Sequence, residues 1–264
     1  MRHQEAALVA EIGAFCREMK LPTVARSCGP LAAEVRKAGD DPLLLLHGVL
    51  QAEHDERAAR RMARRLKEAH FPQVKTIEGF DFSRNPGLDE GRLRALLDGG
   101  FVSAGEPVLL LGGTGTGKTH LATALGYAAC ARGHSVRFTT AAALVNELTE
   151  AQEARTLSRL VGRYARLDLL VLDELGYLPL SPLASQLLFQ VIAERGERRS
   201  TVVTTNLPFS EWTTIIPDPR LCRAFVERIT YRAHILESGE HSVRLEEMLK
   251  LTSKRAKREV TPAS

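Results

Sequence analysis

Long apolar runs, cysteine pairs and metal-ligand spacings are all missing from this 264-residue sequence. No stretch reaches the roughly 18 apolar residues in a row that a membrane-spanning helix needs, so we expect no membrane partner. The N-terminal stretch MRHQEAALVAEIGAFCREMK is charged throughout and lacks a secretory signal pattern, which favours a cytoplasmic protein. The four cysteines form no CxxC pair and the eight histidines no HxxxH pair. These absences argue against a disulfide framework and a zinc site.

A strong excess of one charge sign is also missing, because 36 basic residues oppose 32 acidic ones for a net charge of +4. This mildly basic balance permits an anionic partner without requiring one. With 44% hydrophobic and 26% charged residues, the composition is that of an ordinary globular protein. A chain of this length can form one large domain or two smaller ones.

The chain divides into three regions of different pattern. Residues 1–75 show helical periodicity and predict a small all-helical N-terminal domain. Residues 76–250 alternate short apolar runs with helical segments, which predicts an α/β fold with a mostly parallel sheet between helices. Residues 251–264 form a basic C-terminal tail that we expect to be flexible.

Periodicity also predicts individual elements within these regions. In the first region, Leu8, Ile12 and Phe15 share one face of a predicted helix. In the second, residues 141–166 have one continuous helical pattern, and residues 233–237 predict a fifth strand.

A glycine-rich loop in the stretch VLLLGGTGTGKTH joins the first predicted strand to a helix and matches G-x-x-x-x-G-K-[ST]. Glycines let backbone N–H groups converge on an anion, and the positive end of the following helix points to the same place. Lys118 would reach the β- and γ-phosphates of a bound nucleotide, and the Thr119 hydroxyl would bind Mg²⁺. The predicted nucleotide-binding residues are Gly112, Gly113, Thr114, Gly115, Thr116, Gly117, Lys118, Thr119 and His120.

Two acidic residues, Asp173 and Glu174, end the buried-strand pattern LDLLVLDEL. Ligands of open α/β sheets bind at the carboxyl ends of strands. We therefore expect Asp173 to hold Mg²⁺ with Thr119, and Glu174 to orient and deprotonate the attacking water. The alternative is a charged pair that only caps the strand and begins a turn.

Asn206 follows the next buried-strand pattern, TVVTT. Its side-chain amide could hydrogen-bond both the attacking water and the γ-phosphate, which makes it a further candidate catalytic residue. The alternative is an asparagine that only begins the turn before Pro208.

The runs DELGYLP and TTNLPFSEW, with the glycine-rich loop, resemble the IstB-type ATP-binding helpers of bacterial insertion sequences. These helpers belong to the DnaA/DnaC initiator and helicase-loader group of AAA+ ATPases, and the resemblance covers roughly residues 21–245. It implies a P-loop NTPase of the AAA+ type with ATP and Mg²⁺, working as a homo-oligomer on DNA. The implied function is to recruit or stimulate a transposase encoded nearby. A DnaC-like loader of a replicative helicase is the alternative.

The resemblance also implies an arginine that reaches the γ-phosphate held by a neighbouring subunit. The match puts this catalytic residue at Arg228, with Arg220 and Arg223 as competitors. Such a cation is worth about 10³- to 10⁵-fold in rate.

Two aromatic residues of the connector, Phe80 and Phe82, correspond in position to the adenine wall of the family. The alternative is that they only anchor the connector to the core. No C-terminal helical lid is recognisable after the predicted fifth strand.

Six basic residues without an intervening acid fall within 11 positions of a long N-terminal helix. A basic helix face suits a DNA backbone, and the absence of a base-reading motif predicts little sequence specificity. The alternative is a solvated face paired with Glu53 and Glu56. The six residues are Arg57, Arg60, Arg61, Arg64, Arg65 and Lys67.

Other functional classes fit the motifs less well. A small-molecule kinase would need a phosphoryl acceptor and an arginine-rich lid, whereas an Asp-Glu pair suits water as the nucleophile. A GTPase would need an N-K-x-D stretch, which the sequence lacks. A nucleotide-switched scaffold that hydrolyses little remains open.

Overall fold

The computed structural model describes residues 2–239, with side chains described from residue 6 onwards. The chain forms two compact units that divide within one long helix, between Arg64 and Arg65. The predicted domain boundary at residue 75 stays a prediction. The predicted domain end at residue 250, the tail at 251–264 and any lid after residue 239 lie outside the described residues.

The first unit contains the helices α1 (Arg2–Glu18) and α2 (Pro22–Ala38) and most of α3 (Pro42–Ala69). Cys16, Val24 and Val49 form its small core. Ile12 packs against that core, whereas Leu8 and Phe15, expected on the same face, are 56% and 58% exposed. The reason is that Cys16 takes the core position one residue beyond Phe15.

The second unit is built on five strands that are all parallel, in the order β2-β3-β4-β1-β5. Residues of β1, β3 and β4 are buried along the whole strand, as expected for a sheet covered on both faces. This confirms the predicted α/β fold, including the fifth strand. The strands are β1 (Val108–Leu111), β2 (Val136–Thr140), β3 (Leu169–Asp173), β4 (Ser200–Thr205) and β5 (His234–Glu237).

Helices lie between the strands of this unit in the pattern of repeated βαβ crossovers. They are α6 (Lys118–Ala131), α7 (Ala141–Glu153), α8 (Leu157–Arg166), α9 (Pro182–Arg195) and α10 (Pro219–Thr230), whereas α4 (Glu90–Leu96) and α5 (Gly100–Ala104) precede β1. No helix within residues 2–239 is long and apolar enough to cross a membrane.

The prediction of one continuous helix over residues 141–166 was wrong. The chain turns at Arg155, which has a left-handed φ of +57°, and the Thr156 amide closes the turn on the Ala151 carbonyl at 2.7 Å. The turn lets the apolar faces of α7 and α8 join the same core, through residues such as Leu144 and Tyr164.

Arg195, at the end of α9, is 2% exposed and ties α8 to β4. Its guanidinium donates to the carbonyls of Tyr164 at 2.5 Å and Leu167 at 3.1 Å, and Nε donates to Thr201 Oγ1 at 3.2 Å. Burial lowers the pKa of Arg195 to about 9. These bonds add donors at the end of α8, where helix carbonyls have no amide four residues further along the helix to accept from.

Candidate nucleotide site

The glycine-rich loop has a backbone that only glycine adopts easily. Gly112, Gly115 and Gly117 have φ values of +148°, +83° and +93°. A Cβ atom on Gly112 would lie 2.3 Å from Oγ of Ser238, and one on Gly117 would lie 2.6 Å from the ring of Phe80. Backbone freedom and crowding thus both require glycine, as expected for a loop that wraps closely around an anion.

Hydrogen bonds connect the glycine-rich loop to the residues that follow β5. The hydroxyls of Thr116 and Ser238 are 2.7 Å apart and share a hydrogen bond, and Thr116 also donates to the Gly113 carbonyl at 3.0 Å. The Gly113 amide donates to the Gly239 carbonyl at 2.9 Å. Sequence reasoning missed Ser238 because no local pattern links it to a loop more than a hundred positions away.

Lys118 is the first residue of α6 and lies half-buried at the loop. Its ammonium donates to the carbonyls of Gly112 at 2.8 Å and Gly113 at 2.6 Å. Burial lowers the pKa of Lys118 below its ordinary value, and the nearby Asp173 carboxylate opposes that shift. The ammonium and the helix N-terminus together make this end of the loop attractive to phosphate.

Thr119 and Asp173 bring two hard oxygen donors together. The Thr119 hydroxyl donates to both carboxylate oxygens of Asp173, at 3.1 and 3.0 Å, and Asp173 is buried at the end of β3. Within residues 2–239, no three His, Cys, Asp or Glu side chains cluster so as to hold a metal alone. The donor set therefore fits Mg²⁺, which binds nucleotide sites through one or two protein oxygens plus phosphates and waters.

Glu174 and Asn206 line the same cavity as the loop, which has a volume of about 450 Å³. Both are exposed, and each directly follows the last residue of its strand, β3 or β4. Because β3 and β4 are parallel neighbours, their carboxyl ends meet at this edge. Glu174 has a left-handed φ of +58°, an uncommon conformation for a residue other than glycine.

The two aromatic candidates for the adenine wall differ in position. Phe80 lines the cavity, and its ring makes an edge contact with His120 at a centroid distance of 5.3 Å. Nε2 of His120 lies 2.8 Å from the Thr76 carbonyl oxygen, which fixes the imidazole against the connector. Phe82 instead lies under the guanidinium of Arg94, 5.5 Å from the ring centroid.

Arg228 lies at the other end of the sheet. Its guanidinium sits 5.4 Å from the ring centroid of Phe189, beside a second cavity of about 370 Å³ that reaches Pro107 and Thr201 at the amino ends of β1 and β4. Asn206 lies at the opposite end of β4 from this second cavity, and each residue of a strand adds about 3.3 Å to its length. Arg228 therefore lies too far away to act on the cavity of its own chain. The competitors Arg220 and Arg223 are exposed on α10.

A family model described as IstB-like ATP binding protein matches residues 14–251. The chain belongs to this family. The resemblance predicted from DELGYLP and TTNLPFSEW is therefore confirmed, and with it the assignment to ATP-binding proteins.

Relatives of this IstB-like protein carry the names of insertion sequences. It is 36% identical to the IS5376 ATP-binding protein of Geobacillus stearothermophilus over 88% of this chain and 93% of that relative. It is 38% identical to the IS21 ATP-binding protein of Pseudomonas aeruginosa over 76% of both chains.

Solved structures of AAA+ replication proteins share the fold of the IstB-like chain. AMPPCP-bound DnaA from Aquifex aeolicus matches with a TM-score of 0.53 at 21% identity, over 70% of this chain and 56% of that one. DnaI matches with a TM-score of 0.51 at 23% identity, over 62% of this chain and 90% of that one. These matches confirm the AAA+ type of P-loop fold.

The six basic residues predicted to contact DNA fall into different surroundings on α3. Nε of Arg57 donates to the buried Glu53 at 2.7 Å, and Arg60 pairs with Glu56 at 3.1 Å. The ion-paired alternative thus describes these two arginines. Arg65 is half-buried, and the remaining three are exposed, namely Arg61, Arg64 and Lys67.

Sequence reasoning missed a second basic surface, on α8 of the IstB-like chain. Three arginines at helical spacing are exposed, while Leu160 and Tyr164 face the core. One of the three, Arg163, pairs with Glu147. The spacing was visible in the sequence, but the prediction of a single helix from residue 141 hid the start of the stripe. The α8 arginine stripe comprises Arg159, Arg163 and Arg166.

Proposed function

We propose that this IstB-like protein hydrolyses ATP with Mg²⁺ in the cytoplasm and uses the ATP cycle to assemble as a homo-oligomer on DNA. In that assembly it recruits or stimulates a transposase encoded nearby. The observation that carries the hydrolysis is the juxtaposition of Glu174 with the Thr119–Asp173 pair, in one cavity with the glycine-rich loop. The relatives named for insertion sequences support the transposition context.

Each residue of the cavity has a distinct part in the proposed reaction. Lys118 exchanges its bonds to loop carbonyls for bonds to the β- and γ-phosphates. Thr119 and Asp173 hold Mg²⁺, which neutralises charge on the phosphates when bound. Glu174 orients water and accepts its proton, and Asn206 hydrogen-bonds the γ-phosphate.

The position of Arg228 supports a shared site. Since it lies at the opposite ends of the strands from the nucleotide cavity, its proposed target is the γ-phosphate held by a second copy of the chain. ATP bound between copies would then favour assembly. DNA contacts are proposed for the exposed basic residues of α3 and for the α8 arginine stripe, through the phosphate backbone.

Phosphate release and transposition assays on the purified chain test this proposal. We expect turnover that needs Mg²⁺, rises with DNA and disappears in Lys118→Ala, together with faster strand transfer by the neighbouring transposase. Lys118→Ala should lose nucleotide affinity but keep the wild-type melting temperature, because the residue serves the loop and not the core. Near-normal affinity in that variant would refute the assignment of the loop. Stimulation of a replicative helicase, with no effect on the transposase, would favour the DnaC-like alternative.

A further inference from the structure

Thr204 of β4 lies between the nucleotide cavity and the two acidic residues that follow one another at the end of β3. It is 2% exposed and still contributes to the cavity wall. Its hydroxyl donates to Oδ1 of Asp173 at 2.5 Å and accepts the amide N–H of Glu174 at 2.9 Å. One hydroxyl thus joins the proposed Mg²⁺ ligand to the main chain of the proposed base.

The direction of these bonds is fixed by chemistry. A carboxylate only accepts hydrogen bonds and an amide N–H only donates them, so the single hydroxyl proton points to Asp173 and a lone pair faces Glu174. Asp173 therefore receives hydroxyl donors from two sides, Thr119 and Thr204.

The backbone of Thr204 strengthens the same contact. Its carbonyl accepts the amide N–H of Leu175 at 2.9 Å, so the amides on both sides of the Glu174 Cα are bonded to one residue. Between them, Glu174 holds its left-handed φ of +58°. Such a conformation persists in a residue other than glycine only where the surroundings enforce it, and it is concentrated at functional sites.

We propose that Thr204 is a positioning residue for hydrolysis, which sets the Asp173 carboxylate and the Glu174 main chain in one arrangement. This inference rests on the proposed function, in which Glu174 is the base. Without the hydroxyl, the Glu174 amide has no acceptor and Asp173 keeps only one of its two donors. Glu174 then relaxes from the left-handed conformation, while the glycine-rich loop keeps its contacts.

Thr204→Val is the direct test, because valine keeps the shape and removes both hydroxyl bonds. We expect kcat to fall about 10- to 100-fold, part of the 10²–10⁴ that a positioned base supplies. The affinity for a fluorescent ATP analogue without Mg²⁺ should stay within about threefold, since the P-loop contacts that bind the phosphates are kept. The Mg²⁺ concentration that gives half of the maximal effect of Mg²⁺ on nucleotide binding should rise. The backbone amide of Glu174 should exchange its hydrogen with solvent faster. Thr204→Ser should restore all three.

Ser200→Ala is the matched control on the same strand. Ser200 is buried, and its hydroxyl donates to the Glu106 carbonyl at 2.6 Å, at the end of β4 remote from the nucleotide cavity. This variant removes a comparable buried bond and should keep the wild-type kcat, Mg²⁺ dependence and Glu174 exchange rate. Thr204→Ala provides a second variant should the valine substitution unfold the chain.

The outcomes separate the inference from the function on which it rests. A folded Thr204→Val or Thr204→Ala variant with wild-type kcat, Mg²⁺ dependence and Glu174 exchange would overturn the inference. So would an equal loss of kcat in Ser200→Ala, since that marks a general effect on β4. If the Glu174→Gln variant hydrolyses ATP like the wild type, the proposed function fails. The slow hydrogen exchange of the Glu174 amide, and its dependence on Thr204, would still be measurable in that case.

Discussion

The adjacent carboxylates of Asp173 and Glu174 at the end of β3 have different surroundings, so we expect them to have different roles in hydrolysis. Asp173 is buried, and its oxygens accept from the hydroxyls of Thr119 and Thr204. Glu174 is exposed to the cavity. A carboxylate held by donors on two sides is suited to a fixed metal shell, whereas an exposed one can meet a water molecule and take its proton.

Glu174→Gln tests this division at the scale of one residue. The amide keeps the size of the side chain but cannot accept the proton, so we expect nucleotide affinity near the wild-type value and turnover lower by about 10²- to 10⁴-fold. Nucleotide titration and phosphate release measure the two quantities. Glu194→Gln, at an exposed position of α9, is the matched control and should behave as the wild type. Equal hydrolysis in both variants would remove Glu174 from the role of base.

Local spacing predicted the residues of the site that lie next to one another in sequence, and it could not predict those that the sheet brings in. The glycine-rich loop and the Asp173–Glu174 pair have recognisable patterns. Thr204 and Ser238 have none, because their roles arise only when β4 and β5 take their places beside β3 and β1. Arg57 was predicted to contact DNA, yet it neutralises Glu53, which accepts the first amides of α2.

At the scale of elements, periodicity predicted the strands and most of the helices but not where α7 ends. The left-handed residue in that turn is Arg155, which gives no sequence signal for a break, as glycine or proline would. Only the tertiary structure shows that α8 is a helix separate from α7. The apolar side of α8 packs on the core, and its opposite side carries the arginine stripe.

Reversing the charge of basic residues on one helix at a time tests which basic surface contacts DNA. We expect Arg159→Glu with Arg166→Glu on α8 to weaken DNA binding and to flatten its salt dependence, by about one unit of slope for each phosphate that the variant no longer neutralises. Arg61→Glu with Lys67→Glu on α3 should do the same. Fluorescence anisotropy with labelled duplex at several salt concentrations measures the slope.

An exposed pair on α10 serves as the control for these charge changes. Arg220→Glu with Arg223→Glu alters the net charge equally, at positions outside both surfaces. This variant should keep the wild-type slope. If the salt dependence of DNA binding is unchanged in the double variant of α3 or of α8, that helix does not contact DNA. If the salt dependence is flattened equally in all three double variants, the protein responds to net charge alone.

At the scale of the whole molecule, the two cavities lie at opposite ends of the parallel strands. The nucleotide cavity lies at the carboxyl ends, and the cavity beside Arg228 lies at the amino ends. A head-to-tail contact between copies could bring these two different surfaces together, and it repeats from copy to copy. Each active site would then take Lys118 and Glu174 from one chain and Arg228 from the next, so turnover per chain should rise with protein concentration.

Mixing two inactive variants tests this arrangement. Arg228→Ala should bind ATP and hydrolyse it poorly, while Lys118→Ala should bind no ATP but still offer its own Arg228. In an equal mixture, about one quarter of randomly formed head-to-tail contacts pair an intact loop with an intact arginine, so turnover should return in part. Replacing the first partner by the double variant Lys118→Ala/Arg228→Ala removes every intact loop and should abolish the recovery. An ATPase that works as a monomer would show neither recovery nor concentration dependence. Arg228 would then be a surface residue that packs on the ring of Phe189.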